Sequence, residues 1–489
     1  AILAEAPRLF CHVRSDKGEQ VASLLLAKTM KVVRDSKFRH VFGEPLKQKY
    51  EDLRLSSKAT ESTGIRGNSK FFAFPWESGG GGTLAVVPMT RYGRLPRDLP
   101  LVTGHTGPIL DFEFSPFDDN MLVSASEDMT IKLWTIPDEG VKQHMREPLA
   151  SLEGHGKKVS FCTCNPSANG IVASTSFDLT CKVWNLTEQE EAFSLPVPDQ
   201  VMSLKWNYNG SLLASTCKDK KMRIIDPRAN KIAHDVKIHE GAKASKVEWL
   251  GSASATEECY KLVTTGFSQQ AERQIGIWDM RKFSAAGEGE AEPLDMILLD
   301  QGTGALYPFF DPGTQMLYIA GKGDANVRYF EAVNTEPYLH FISDFRTTTP
   351  QKGFDFIPKR CVDTTNHEIM RGLKLESSAV IPISFRVPRK SEAFQEDIFP
   401  DCPAGIPAMA AEEWVSTTEA RDPILRSMRR RAGEEVAAAK AANASAGASA
   451  GVVSVKDLKK QLGEAQARIL ALEKENEQLK VELAQLRGS

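Results

Sequence analysis

The amino-acid sequence predicts an all-β fold, a seven-bladed β-propeller, followed by a C-terminal extension, a flexible linker and an α-helical coiled coil. An aspartate stands six residues before a tryptophan in LVSASEDMTIKLW, and the spacing recurs in IVASTSFDLTCKVW, with a Gly-His pair ahead of each copy. Between these markers apolar and polar residues alternate, which is the period of half-buried strands. A proline-free heptad pattern near the C-terminal end predicts the coiled coil.

Repeats that each form one β-sheet account for most of the chain. Repeats of about 40–50 residues with four strands and Gly-His and Trp-Asp markers are typical of WD-repeat propeller blades. Weaker copies of the pattern carry Asp219, Trp278 and Asp324, which makes five marked repeats. Strand-like flanks at 70–89 and 338–375 raise the total to seven. We expect residues 38–43 to supply the strand that closes the ring, because a closed ring leaves no free sheet edge.

The recurring aspartates are interpreted as structural. An aspartate in the tight turn before a blade's third strand can accept hydrogen bonds from turn amides and from the Gly-His histidine of the blade. Two such networks are predicted, and their members are His105, Ser126, Asp128 and Trp134 in one blade and His155, Ser176, Asp178 and Trp184 in the next. The alternative is the His/Asp acid–base pair of an enzyme. It is disfavoured because the pair recurs in each blade and no nucleophile is expected beside it.

The chain divides into five segments. We expect an N-terminal extension of unknown role over 1–29, the propeller over 30–376, a C-terminal extension over 377–431, a flexible linker over 432–453 and the coiled coil over 454–487. The C-terminal extension is too apolar for a solvated linker, so we expect it to pack on one face of the propeller. The linker is rich in Ala, Ser and Gly, a composition typical of flexible chain.

The coiled coil is expected to join several copies of the chain in parallel. Its two core positions carry apolar residues except at Asn476, which disfavours shifts of register. The stretch RILALE, in which Arg468 can reach Glu473 of a neighbouring helix, favours a parallel trimer, whereas Asn476 favours the alternative, a parallel dimer. The residues expected at the helix contact are Leu458, Leu462, Arg468, Ile469, Leu472, Glu473, Asn476, Leu479, Leu483 and Leu486.

Composition and motifs argue against several classes of protein. The 61 basic and 64 acidic residues give a formal net charge of −3, so we expect no nucleic-acid partner. Eight scattered cysteines are expected to be reduced thiols of a cytosolic protein. The sequence GASAG in the linker matches a nucleophile elbow but lacks the strand and helix that such an elbow needs. Without metal-ligand spacing or a polar constellation for the central channel, we expect no cofactor, no metal and no enzymatic activity.

Four stretches are more specific than the WD markers. They are SKFRHVFGEP, TGFSQQAERQIGIWD, LYIAGKGDANVRYFE and PQKGFDFIPKRCVD. In these stretches, and over about 31–431, the sequence resembles coronins, the actin-associated propeller proteins. The resemblance implies a cytoplasmic protein of the actin cytoskeleton and cell cortex that binds and bundles F-actin and regulates its turnover, with contacts to cofilin and the Arp complex. The alternative is a WD-propeller adaptor in vesicle traffic or signalling that does not bind actin directly.

A basic segment is the candidate actin-facing surface. Residues 31–58 hold eight basic and four acidic side chains, and a basic face suits an acidic filament and raises association rates at low salt. Arg54 in YEDLRLS matches a position where coronins carry an arginine tied to filament binding. Lys47, Lys49 and Lys58 are expected to support it.

Two further interpretations concern basic residues. Arg54 alternatively pairs with Glu51 or Asp52 on an exposed blade edge, which would contribute little. A second basic cluster, formed by Arg426 and 429–431, is interpreted first as the solvated end of a helix, and the alternative is a contact for acidic phospholipids or for the filament.

Overall fold

The computed structural model describes residues 35–58, 60–251, 260–283, 291–391 and 393–429. Its sheets form a seven-bladed β-propeller, which confirms the fold predicted from the repeats. Blades 2–6 are four-stranded sheets in which each strand pairs with the next along the chain. Blade 1 has three strands, and blade 7 belongs to the six-stranded sheet in which the ring is closed.

The first three blades occupy the N-terminal half of the described chain. The strands up to the end of blade 3 are β1 (Phe42–Pro45), β2 (Tyr50–Glu51), β3 (Arg66–Gly67), β4 (Phe71–Pro75), β5 (Leu84–Pro88), β6 (Gly93–Arg94), β7 (Ile109–Phe114), β8 (Met121–Ser126), β9 (Ile131–Thr135), β10 (Ala150–Leu152), β11 (Val159–Cys164), β12 (Ile171–Ser176), β13 (Thr180–Asn185) and β14 (Glu190–Pro196). Of these, β1, β2 and β6 belong to the sheet of blade 7. Blade 1 is β3–β5, blade 2 is β7–β10 and blade 3 is β11–β14.

The remaining blades follow in the same order. Their strands are β15 (Val201–Trp206), β16 (Leu213–Cys217), β17 (Lys221–Asp226), β18 (Lys231–Lys237), β19 (Lys246–Leu250), β20 (Lys261–Phe267), β21 (Arg273–Asp279), β22 (Asp295–Asp300), β23 (Leu306–Asp311), β24 (Met316–Gly321), β25 (Asn326–Ala332), β26 (Leu339–Arg346), β27 (Gly353–Phe356), β28 (Glu368–Leu375) and β29 (Ala379–Arg386). Blade 4 is β15–β18, blade 5 is β19–β22, blade 6 is β23–β26 and blade 7 contains β27–β29.

Short elements complete the described structure. Three 3-10 turns span Met280–Lys282, Lys359–Cys361 and Thr364–Asn366, and strands β30 (Cys402–Pro403) and β31 (Leu425–Arg426) flank the helix α1 (Ala411–Ser416). None of the helices in the described ranges is long and apolar enough to cross a membrane.

The blades pack face to face around a central channel. The innermost strands contact one another in a series from β27 through β3, β7, β11, β15 and β19 to β23. Strands β12, β16 and β24 are buried at every position because both faces of the sheet meet a neighbouring blade. These strands read IVASTS, LASTC and MLYIAG, and in the first two the small Ser, Thr and Ala side chains suit such close packing.

Blade 7 is closed by the N-terminal part of the described chain. Strand β1 pairs antiparallel with β29, with Phe42 opposite Arg386, and β2 continues along the same strand, with Tyr50 opposite Val380. Segment 38–43, predicted as the closing strand, overlaps β1 only at its end. Its Phe38 is buried ahead of the strand. The apolar residues of this segment therefore indicated a buried side chain that packs on the propeller, and the hydrogen-bonded strand begins a few residues later.

The predicted end of the propeller at residue 376 is wrong, as is the start of the extension at 377. Strand β29 lies beyond that boundary and pairs with β28 along most of its length, so the propeller extends to Arg386. Pro382 weakens the strand pattern of this segment, yet its carbonyl accepts a hydrogen bond of 2.8 Å from the amide of Leu46. A proline in this strand is therefore compatible with pairing on that side.

The propeller has two distinct faces. The network face carries the connections from one blade to the next and the turns between each blade's second and third strands. The strap face carries the other two sets of turns, and residues 387–429, the C-terminal strap, lie across it. Met409 of the strap forms a parallel bridge with Ala168, in the turn between β11 and β12.

Trp414 anchors the C-terminal strap. Only 1% of its surface is exposed. Its ring packs edge-to-face against that of Trp206, with 5.7 Å between the ring centroids. The indole Nε1 donates to the carbonyl of Gly210 at 3.0 Å. Arg228 of blade 4 lies over the same ring and donates to the carbonyl of Glu419 at 2.7 Å. Apolar burial and hydrogen bonds thus both hold the strap on the propeller.

Candidate functional site

A chain of hydrogen bonds links four side chains within blade 2. Nδ1 of His105 lies 2.8 Å from Asp128 Oδ2, and its Nε2 lies 2.8 Å from Ser124 Oγ. The same hydroxyl accepts a 2.8 Å hydrogen bond from Trp134 Nε1. Because a carboxylate only accepts, Nδ1–H donates to Asp128 and Nε2 accepts from Ser124. Every strong polar atom in this buried chain therefore has a partner.

Blade 3 repeats the arrangement. His155 lies 3.0 Å from Asp178 and 2.7 Å from Ser174, whose Oγ accepts from Trp184 at 2.8 Å. Burial lowers the pKa of His155 despite the opposing effect of Asp178, so the imidazole is neutral near pH 7. Burial alone would raise the pKa of Asp178, but hydrogen bonds from Thr180, from a turn amide and from the imidazole lower it to about 2.

The linking hydroxyls are Ser124 and Ser174, whereas the sequence predicted Ser126 and Ser176. Ser126 Oγ donates to the carbonyl of Gly107 at 2.9 Å and accepts from the amide two residues on at 3.2 Å. Ser176 makes the equivalent contacts in blade 3, so both residues brace the turn and neither bonds to the tryptophan. The two serines of each S-x-S pair share one side of the strand, and the spacing alone does not distinguish them.

The order Ser–His–Asp is that of a hydrolase triad, so a hydroxyl does lie beside each His–Asp pair. Ser124 is nevertheless unsuited to attack a substrate. It has 0% exposure, and its oxygen already accepts the Trp134 N–H. A nucleophile must reach the reacting atom, which a side chain packed inside a blade does not do. The arrangement serves to satisfy buried polar groups.

Blade 5 contains a third network, which the sequence analysis missed. His239 Nε2 lies 2.9 Å from Thr264 Oγ1, which accepts from Trp278 Nε1 at 2.8 Å. Gln274 Oε1 lies 3.3 Å from His239 Nδ1, the ring atom that meets an aspartate in blades 2 and 3. Burial lowers the pKa of His239 to about 4. The sequence there reads HEG, so the Gly-His marker is absent, and the histidine itself was the available signal.

The aspartates of the weaker repeats bind arginines. Asp219 of blade 4 accepts from Arg223 Nη1 at 3.1 Å. Asp324 of blade 6 accepts from Arg273 Nη1 at 2.7 Å, and Arg273 also pairs with Asp300. Because Arg273 belongs to blade 5, this pair joins two blades. The same turn position thus anchors either a histidine within the blade or an arginine.

The turn aspartates also hold a costly backbone conformation. The residue after the aspartate is left-handed in three blades, with φ of 68° at Met129, 65° at Leu179 and 68° at Lys220. Non-glycine residues rarely adopt this region. In blade 2, Asp128 Oδ1 accepts from the amide of Thr130 at 3.1 Å, which stabilises the turn.

Arg54 lies exposed in the connection between blades 7 and 1, on the network face. Both acids that compete for it are engaged elsewhere. Glu51 Oε1 lies 2.6 Å from Lys49 Nζ, and Asp52 Oδ2 lies 3.7 Å from Arg94 Nε. Among the residues that the structure describes, no carboxylate forms an ion pair with Arg54. Its guanidinium is therefore available to a partner.

The other three predicted contact residues are spread along the same segment. Lys47 and Lys49 are exposed in the connection between β1 and β2 at the outer edge of blade 7, and exposed Lys58 follows Arg54 towards blade 1. Lys49 is committed to Glu51. Of the four predicted contact residues, Lys47, Arg54 and Lys58 therefore form no ion pair with any residue in the described ranges.

Other predicted sites fall partly or wholly outside the described residues. All ten coiled-coil contact residues, between 458 and 486, lie beyond them. In the second basic cluster, Arg426 is described and exposed and Arg429 pairs with Glu396 at 3.1 Å, whereas 430–431 are outside.

Charged side chains line the central channel, contrary to the sequence-based expectation. Arg66 on β3 lies 3.5 Å from Asp355 on β27 and 4.0 Å from Asp111 on β7. Burial raises the pKa of Asp111 and of Asp355 to about 6, against the lowering effect of Arg66. Each residue belongs to the inner strand of a different blade, so no local spacing indicates the cluster. Across the described ranges, no group of three His, Cys, Asp or Glu side chains is placed to hold a metal.

The blades and their networks define a WD-repeat propeller. The WD domain, G-beta repeat, matches 98–135 and 146–185, a type of WD40 repeat matches 380–421, and the anaphase-promoting complex subunit 4 WD40 domain matches 180–252. Residues 31–94 match a domain of unknown function (DUF1899).

Comparison with whole proteins shows more: the chain belongs to the coronin family. It is 39% identical to coronin-A of Dictyostelium discoideum over 393 residues, covering 80% of this chain and 85% of that protein. It is 40% identical to the coronin-like protein of Saccharomyces cerevisiae over 411 residues, covering 82% of this chain and 61% of that protein. The chain thus spans about three fifths of the length of the yeast relative. The crystal structure of the WD40 domain of Toxoplasma gondii coronin matches with a TM-score of 0.75 and 39% identity, covering 80% of this chain and 98% of that one.

Proposed function

We propose that this coronin-family protein binds actin filaments through the network face of its propeller, with Arg54 as the central contact. The observation that carries the proposal is the exposed guanidinium of Arg54, which no described carboxylate pairs with, while Glu51 and Asp52 are engaged by other cations. A cation held by its own acid would have to break that pair before meeting a filament carboxylate. Family membership supplies the partner, since coronins are actin-associated propeller proteins.

Multivalency would convert weak single contacts into filament bundling. A parallel coiled-coil trimer, or else a dimer, would carry several propellers on flexible linkers. Once one propeller is bound, the others experience a high effective concentration of neighbouring filament subunits, and apparent affinity rises by about 10² to 10⁴. The same geometry lets two propellers of one oligomer engage two filaments.

The wider role follows from the family alone. We propose a non-enzymatic regulator of filament turnover in the cytoplasm, at the actin cytoskeleton of the cell cortex, acting with cofilin and the Arp complex and contacting acidic phospholipids. No cofactor or nucleic acid is part of this role.

Co-sedimentation with actin filaments tests the surface. Arg54→Asp should remove most of the binding and leave thermal melting unchanged. Lys231→Asp makes the same charge change at an exposed lysine of β18, outside the proposed surface, and should bind like the parent protein. If Arg54→Asp pellets as the parent does across a salt series, the filament contact lies elsewhere.

Removing residues 454–489 tests the avidity step. Light scattering should give a trimer, or else a dimer, for the full chain and a monomer for the shortened one, which should bind filaments weakly and fail to bundle them. If neither protein pellets with actin at low salt, the adaptor function replaces this proposal.

A further inference from the structure

A cavity of about 390 Å³ opens on the network face, and its lining begins at Leu55, the residue after Arg54. Its walls come from the connection between blades 7 and 1, from the turn after β24 in blade 6 and from two connections of blade 7. We call it the lysine pocket, because it is lined by Lys58, Lys322 and Lys352. Its volume falls within the range of about 300–1,000 Å³ that is typical of small-molecule sites.

The lysine pocket has an excess of positive charge. Three lysines line it, and no acidic side chain is among its lining residues. Carboxylates nearby in the chain are already engaged. Glu376 accepts from Lys374 Nζ at 2.5 Å, Glu61 accepts from Lys246 Nζ at 2.8 Å, and Glu77 accepts from a turn amide at 2.7 Å. Glu61 and Asp111 still act on Lys322 through space, but no carboxylate among the described residues forms an ion pair with any of the three lysines.

Lys322 shows the effect of this imbalance. Its Nζ donates to a neutral group, the carbonyl of Thr60, at 2.8 Å. Burial, and then the positive charge of Lys246, lower the pKa of Lys322 to about 8, against the opposing effect of Glu61 and Asp111. An anion in the pocket would stabilise the ammonium form, so binding an anion and holding a full charge on Lys322 favour each other.

The lining groups suit a phosphate better than a carboxylate. Ser56, Ser57 and Ser377 add hydroxyl donors to the three amines. A phosphate group carries nearly two negative charges at pH 7 and three strong acceptor oxygens, so several amines and hydroxyls can share it. We propose that the lysine pocket binds the phosphate groups of a small anion, either a soluble phosphate compound or the headgroup of a phosphorylated lipid.

Titration calorimetry with inorganic pyrophosphate tests the pocket on the full chain. Lys352→Gln should weaken pyrophosphate binding about tenfold, the loss expected for one charge-assisted contact. Lys157→Gln is the matched control, because Lys157 is another exposed lysine in a blade-to-blade connection of the network face but lies outside the pocket. It should bind as the parent does. Lys322→Met provides a second variant inside the pocket, with thermal melting to verify its fold.

Vesicle flotation distinguishes the two sources of phosphate. Vesicles containing phosphatidylinositol bisphosphate are compared with vesicles of equal surface charge made with phosphatidylserine. Binding of pyrophosphate alone, dependent on Lys352, assigns a soluble ligand, and Lys352-dependent flotation only with the phosphorylated lipid assigns the headgroup. The proposal is overturned if neither pyrophosphate nor vesicles respond to Lys352→Gln, or if Lys157→Gln weakens binding equally. No filament enters either assay, so the result is independent of actin binding.

Discussion

The two faces of the propeller differ in what stabilises them. The strap face is covered by apolar side chains such as Phe399 and Trp414, which are 3% and 1% exposed. The network face is held by buried polar chains such as His105 with Asp128, and cations including Arg54 are exposed elsewhere on the same face. Apolar burial contributes more free energy per residue, whereas hydrogen-bond networks contribute less and fix geometry. The strap face therefore serves stability, and the network face presents a fixed array of charges to partners.

The largest expected effect lies on the strap face. Trp414→Ala removes a buried aromatic ring and should lower the free energy of unfolding by about 3–5 kcal/mol, measured by chemical denaturation. Trp414→Phe keeps most of the burial and loses the hydrogen bond to Gly210, so it should cost about 1 kcal/mol. Equal losses for the two variants would show that the ring's packing is not what holds the strap.

On the network face, Ser124→Ala should destabilise more than Ser126→Ala. Ser124→Ala leaves the Nε2 of His105 and the Nε1 of Trp134 without a buried partner, which should cost about 2–4 kcal/mol in total. Ser126→Ala removes a turn contact and should cost about 1 kcal/mol. Thermal melting ranks the pair, and the reverse order would contradict the network as described.

Acid should weaken the network in blade 5. The folded pKa of His239 is about 4, below the unfolded value of about 6.5, so the unfolded state takes up the proton first. Stability from this group is lost as pH falls from about 6.5 to about 4. At pH 4.5 the loss should be about 2 kcal/mol relative to pH 7.

His239→Gln isolates that contribution, because glutamine can still bond to Thr264 and Gln274 without titrating. Asp111 and Asp355 have folded pKa values of about 6, so their protonation stabilises the folded state in the same acidic range. This contribution is the same in the parent protein and in the variant, and it cancels when their acid losses are compared. Denaturation at pH 7 and 4.5 should show a smaller acid loss for the variant. An identical loss would assign the acid sensitivity to other groups.

The smallest expected effect concerns the competition for Arg54. Lys49→Gln frees Glu51, which then competes with the filament for Arg54, and filament binding should weaken a few-fold while melting is unchanged. Lys47→Gln removes the same charge without freeing an acid, so it should weaken binding less. Co-sedimentation of the two variants side by side measures the difference, and equal binding would mean that Glu51 does not reach Arg54.

The repeats predicted the fold because each marker lies within one blade. The spacing from Asp128 to Trp134 spans one turn and one strand, so it can be read locally. Two features of the fold were not predicted, because they depend on segments that are far apart in the sequence. Strand β29 contains Pro382, which weakens its strand pattern, and its pairing with β1 joins the two ends of the propeller. The channel cluster around Arg66 draws on inner strands of separate blades. Pairings between distant segments leave no periodic signal.

The candidate surface was predicted only in part. The basic composition of 31–58 and the coronin resemblance pointed to Arg54, but the sequence left its pairing with Glu51 or Asp52 open. Those acids are engaged by Lys49 and Arg94, and Arg94 comes from β6, which pairs with β2. The lysine pocket was not foreseen, because Lys322 and Lys352 join Lys58 only through the closed ring.

Closure of blade 7 by both ends of the propeller has a consequence for synthesis. Strand β1 is made early, and its partner β29 emerges from the ribosome about 340 residues later. At about 5–20 residues per second, β1 waits roughly 20–70 s for that partner. Pairings of such long range also slow folding after release. A chain whose translation stops before residue 379 lacks β29 altogether, and it leaves β28 as an open sheet edge on which nascent chains can associate.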